Sequence, residues 1–147
     1  MAATATPMIF LSPVLVADTN EKSFSFPLLV SGEGKNVDKR FETTALIDSG
    51  AGGTFLDKRF ALENKIALTP LDKPIKVFNV DGTKNKAGTI EHCIWLKIQI
   101  GKRQISTRFL VTGLGKDRII LGLPWLKEYN PKIDWNQGTI EINLDKK

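Results

Sequence analysis

The chain has 147 residues, 41% hydrophobic and 25% charged, proportions of an ordinary globular protein large enough for one domain with its own core. Its net charge of +5 comes from lysines and arginines scattered from Lys22 to Lys147, with no dense basic block and no interleaved aromatics, so no specific nucleic-acid partner is expected. The only cysteine, Cys93, excludes a disulfide within the chain and fits an intracellular, cytoplasmic location; beside it His92, the only histidine, leaves too few ligands for a metal site.

Residues 8–17 are the one apolar run near the start, broken by Ser12 and Pro13 with no Lys or Arg ahead of it. A signal peptide needs a charged start, and a membrane span needs about 20 apolar residues, so neither is expected. Residues 1–22 read as an irregular lead-in and residues 23–147 as the folded domain. Phe24, Phe26, Leu28 and Val30 alternate with Ser23, Ser25, Pro27 and Ser31, the period of a strand, and Pro27 suggests an edge. Residues 32–39 read as an exposed turn. Phe41, Thr43, Ala45 and Ile47 then alternate along a second strand.

That second strand delivers Asp48, Ser49, Gly50, Ala51 and Gly52. A carboxylate at the mouth of a buried strand is unfavourable unless something pairs with it or uses it. Asp-Ser-Gly is also ordinary turn chemistry, so the tripeptide alone decides nothing. Next, Asp57 is placed to cap a short helix over residues 58–64, with Phe60 and Ala61 inward. Pro70 and Pro74 bracket a connector, residues 75–80 rise into a turn at Asp81-Gly82, and a long return strand follows. On it Ile90, His92, Ile94, Leu96, Ile98 and Ile100 share a face, and His92 reads as a packing residue. Gly101-Lys102 turns the chain back into a strand aligned on Ile105, Thr107, Phe109 and Val111. Ile119-Ile120-Leu121 is a short apolar run ending at Gly122, and Pro124 opens a helix that Asn130-Pro131 stops. A final hairpin spans residues 133–144. Many short strands and at most two brief helices imply an all-β, barrel-like domain.

Three parts in order, the Asp48-Ser49-Gly50-Ala51 element, the Val80-Asp81-Gly82 hairpin tip and the Ile119–Gly122 run, resemble the retropepsin family of aspartic proteases, most of all those of Ty3/gypsy-type retrotransposons. The resemblance spans residues 24–142. It implies a closed retropepsin-like barrel that works as a homodimer, with Asp48 catalytic and with Ser49 and Gly50 supporting the loop. Gly50, Ala51, Val80, Asp81 and Gly82 are then expected to meet a peptide or polyprotein substrate, with the hairpin as a flap. The Ile119–Gly122 run is expected beside the catalytic loop. No cofactor is implied.

Peptide hydrolysis by carboxylates uses two of them about 3 Å apart, sharing one proton. The chain offers one Asp-Ser/Thr-Gly, so the second must come from another copy. Two departures stand out. Gly52 occupies a position where family members usually carry a polar side chain, and the C-terminal hairpin is longer than the single closing strand of compact viral enzymes. Because terminal strands commonly join the subunits in the family, that hairpin is expected at the dimer interface. Besides an aspartic endopeptidase maturing a retroelement polyprotein, the same resemblance admits a catalytically silent or repurposed module that dimerises or binds peptide. A small basic barrel that binds nucleic acid is a third class.

Overall fold

The computed structural model describes residues 8–11, 23–79 and 84–142. The strands in chain order are β1 (Met8–Leu11), β2 (Ser23–Gly32), β3 (Arg40–Asp48), β4 (Thr54–Asp57), β5 (Thr69–Asn79), β6 (Lys84–Ile100), β7 (Arg103–Thr112), β8 (Ile119–Leu121), β9 (Lys132–Asp134) and β10 (Thr139–Glu141). Among the described residues two α-helices, α1 (Lys58–Glu63) and α2 (Leu123–Tyr129), and one 3-10 turn at Gly34–Asn36 complete the set. The main sheet runs β1-β5-β6-β2-β3-β8-β4-β7, and β7 also pairs with β6. That last pairing closes six strands into a barrel and leaves β5 and β1 as an extension on one side. Among the described residues no helix is long and apolar enough to cross a membrane.

The alternation read from the sequence puts Phe26, Leu28, Val30, Ala45, Ile47, Leu96, Ile98, Ile105 and Phe109 inside one barrel core. A second cluster, Ala51, Phe55, Val77, Ile90, Cys93, Leu110 and Ile120, lies beside it. Strands caught between the two clusters are buried on both faces. This is why β8 is a continuous apolar run, and why Leu110 and Val111 are both buried.

Several expectations need correction. Met8–Leu11, within the segment expected to be irregular, is a strand that pairs in parallel with residues 76–79 of β5 and satisfies that strand's outer edge. Pro27 is not on an edge strand, since β2 lies between β3 and β6. The β6 ladder, however, reaches only from Leu29 to Gly32, so the missing N–H of Pro27 falls beyond it. Pro70 and Pro74 lie inside β5, where a register shift between Pro70 and Ile75 absorbs them as a bulge. Residues 32–39 are more than an exposed turn. Asn36 is buried and pairs with the backbone of Ala67 in both directions, donating from Nδ2 at 3.0 Å and accepting at Oδ1 at 2.7 Å.

The C-terminal hairpin, β9 with β10, turns its apolar side to its own barrel. Ile133, Ile140 and Ile142 join the core, and Trp135 meets the Phe24 ring edge-on at 5.2 Å. Those side chains hold the hairpin to its own subunit, so any contact it makes with a second copy must use its outer surface.

Asp57 ties three elements together. Its Oδ2 accepts from Phe60 N at 3.1 Å and caps α1, its Oδ1 accepts from Leu114 N at 2.8 Å, and its own N–H donates to Arg118 O at 2.8 Å. The segment between β7 and β8 is therefore pinned at both ends by one buried residue. Asp57→Ala would remove a helix cap and orphan a second, part-buried N–H. The expected loss is roughly 2–4 kcal/mol, read by urea or thermal unfolding. A loss under about 0.5 kcal/mol, the usual range for a surface change, would show that neither bond matters.

Candidate active site

β3 and β4 are antiparallel in direction but do not touch, because β8 is inserted between them, parallel to β3 and antiparallel to β4. The segment linking Asp48 to Thr54 must therefore cross the end of β8. Gly122 stands at that crossing. A Cβ built there would lie 2.2 Å from Gly53 O and 2.6 Å from Ala51 O, closer than any side chain tolerates. The crossing is fastened by Leu123 N–H, which donates to Ala51 O at 2.9 Å.

Asp48 sits at the end of β3 and is 3% exposed. Its Oδ1 accepts from Gly50 N–H at 2.8 Å, and Ala51 N–H donates to Asp48 O at 3.0 Å. Two backbone donors thus fold the loop around the carboxylate. Ser49 is half-buried, Ala51 is buried against the second cluster, and Gly50 and Gly52 are exposed. Asp48 through Ala51 are therefore brought together, with an open glycine on each side of Ala51. Val80, Asp81 and Gly82 lie outside the described residues; the arms below them pair up to Phe78 with Lys84. His92 is half-buried on β6, level with Pro70 and Val111. Among the described residues no three of His, Cys, Asp and Glu converge as metal ligands.

One charged neighbour was not legible beforehand. Asp117, in the segment pinned by Asp57, is held above the ordinary carboxylate range. Burial is the main cause, Lys116 opposes it, and the charge of Asp48 adds to it. A carboxyl that binds its proton more tightly in the folded state favours folding below its unfolded pKa, and that contribution is lost as pH rises through the folded value. Asp117→Asn should accordingly leave stability unchanged near pH 3 and raise it at neutral pH. Urea midpoints at the two pH values check this, and a variant less stable at pH 7 would contradict it.

A family model described as the PEG10/RTL1 protease domain matches residues 44–146. Among solved structures, the retroviral protease-like domain of Ddi1 from Leishmania major superposes with a TM-score of 0.51 at 18% identity, covering 82% of this chain and 87% of that one. The EIAV protease complexed with the inhibitor HBY-793 gives 0.49 at 20% identity, over 78% and 94% of the two chains. A retropepsin-like aspartic protease from Rickettsia conorii gives 0.46 at 20% identity, over 82% and 92%. At 18% identity the likeness to the Ddi1 domain speaks for fold alone, whereas the family match takes in the Asp48 loop, β5 and β6, the β8–Gly122 crossing and α2. The chain belongs to the PEG10/RTL1 protease-domain family and has the fold of the retropepsin-like aspartic proteases.

Proposed function

We propose that the chain is an aspartic endopeptidase that works as a homodimer, with Asp48 of each copy forming the catalytic pair. The observation that carries this reading is a buried carboxylate at a strand end, cradled by Gly50 N–H, in a loop locked by the Gly122 crossing. A buried carboxylate that meets no cation among the described residues is unfavourable for stability, which favours a chemical use for it. In the proposed reaction the ionised Asp48 takes a proton from water as the water oxygen attacks the peptide carbon. The protonated Asp48 of the other copy polarises the carbonyl, and collapse transfers a proton to the leaving amine. Ser49 and Gly50 hold the loop, while Gly50, Ala51 and the Val80-Asp81-Gly82 tip bind an extended peptide by strand addition. The substrate class is a retroelement-type polyprotein, and the setting is intracellular.

A second reading, a repurposed dimerisation or peptide-binding module, is favoured by one observation. Gly52 offers no polar side chain at a position where the retropepsin resemblance implies one. Cleavage of a peptide library, with and without pepstatin, separates the two readings. Because one copy holds half of the pair, the initial rate at low protein concentration should rise with the square of that concentration, then linearly once dimers dominate. A rate linear throughout, from a species that sediments as a monomer, would overturn the two-copy mechanism.

A further inference from the structure

One cavity takes in the far end of the Asp48 loop but not Asp48 itself. It begins at Gly52 and Thr54, crosses the outer face of β6 and β7, and ends on α2. Its volume of about 320 Å³ is at the lower end for ligand sites, roughly 300–1,000 Å³, and suits one or two side chains better than a cofactor. Trp95 and Arg108 are direct cross-strand partners on its wall, and Trp95 is 50% exposed, a large indole surface left to solvent. The facing wall is Trp125 and Tyr129, with ring centroids 5.3 Å apart and planes tilted by 45°.

The hydrogen-bonding character of the cavity is lopsided. Trp125 is 3% exposed, yet among the described residues its Nε1–H has no hydrogen-bond partner. Buried donors are normally satisfied, so this one stands out. Burial, reinforced by the charge of Glu128, holds the Tyr129 hydroxyl above the ordinary phenol range, so it remains a neutral donor. Arg108 and Thr54 add further donors at the rim, and among the described lining residues Glu128 is the only carboxylate.

We infer that this cavity is an accessory subsite for the substrate polypeptide, receiving an aromatic side chain several residues from the scissile bond together with an acceptor oxygen. The inference rests on the peptidase reading above. Three features select that occupant. The chain from Asp48 to Gly52 spans at most about 14 Å, so an extended peptide leaving the loop reaches the cavity within about four residues. Two indoles and a phenol ring favour a flat apolar group. An excess of donors, one of them unpaired, favours a carbonyl or carboxylate oxygen.

The test uses the full chain carrying Asp48→Asn, whose three tryptophans give separate indole N–H signals in nitrogen-15 NMR. Titration with N-acetyl-phenylalanine should move the Trp95 and Trp125 signals saturably. Trp135, seated against Phe24 on the hairpin, should stay in place. Trp95→Ala should weaken the probe about fivefold. Signals that stay still, or three that move alike, overturn the site. So do Trp125 shifts that follow protein concentration without probe, which would assign the cavity to a second copy. With any peptide that the unmutated protein cleaves, Trp95→Ala should raise KM about fivefold at constant kcat, by the same free-energy conversion; an unchanged KM overturns the subsite. If no peptide is cleaved the peptidase reading fails, and the indole shifts then decide whether the cavity binds at all.

Discussion

Asp48→Asn should reduce peptide hydrolysis by at least about 10³-fold, because general acid–base catalysis alone contributes roughly 10²–10⁴ and, in the proposed dimer, this change disables it in both copies at once. The fold should survive. An asparagine side-chain oxygen can still accept from Gly50 N–H, the bond made at 2.8 Å by Asp48 Oδ1. The amide is nearly isosteric, and it also removes an ionisable group that is 3% exposed, so stability should hold or rise. Measured together, initial rates and thermal unfolding distinguish a chemical role from a structural one. Cleavage near the unmutated rate would refute the assignment of Asp48. Loss of activity in step with unfolding would mean that the carboxylate holds the loop and does no chemistry.

Local sequence carried much of this architecture because most of its elements announce themselves at short range. Alternation predicts the inward set on β2, β3, β6 and β7, and apart from the half-buried Phe24, Phe41 and His92 those side chains are buried. Asp57 reads as a helix cap and is one. What local pattern could not carry is anything that depends on long separations. The second bond of Asp57, to Leu114, links residues 57 apart in sequence. The clasp between Asn36 and Ala67 spans 31. Neither has a signature in its own neighbourhood. Likewise, a proline reads as an edge only if the whole length of its strand is paired on both sides, and Pro27 escapes because the β6 ladder stops two residues short of it. The cavity at Trp95 was invisible for a related reason. Its walls come from the Asp48 loop, two strands and a helix, and only barrel closure through the β6–β7 pairing brings them side by side.

Gly122→Ala should lower turnover far more than its effect on stability would suggest. The glycine is not needed for an unusual backbone, since its φ of −94° suits any residue. It is needed for room. The added methyl would meet Gly53 O at 2.2 Å and Ala51 O at 2.6 Å, and both are backbone atoms that cannot rotate away. An ordinary carbon–oxygen contact of about 3.3 Å requires the crossing loop to lift by about 1 Å. Overpacking of this kind costs about 1–3 kcal/mol, and each kcal/mol lowers Tm by about 2–4 °C in a domain of this size. The loop that must lift is the one whose N–H groups hold Asp48, through Gly50 to its side chain and through Ala51 to its carbonyl. A misplacement of 1 Å at a reacting group can cost about 10²-fold in rate. Rates measured well below the variant's own Tm should therefore fall about 100-fold from a protein that is still folded. If instead activity tracks only the folded fraction, the crossing is a packing feature, and the carboxylate is positioned by something other than Gly122.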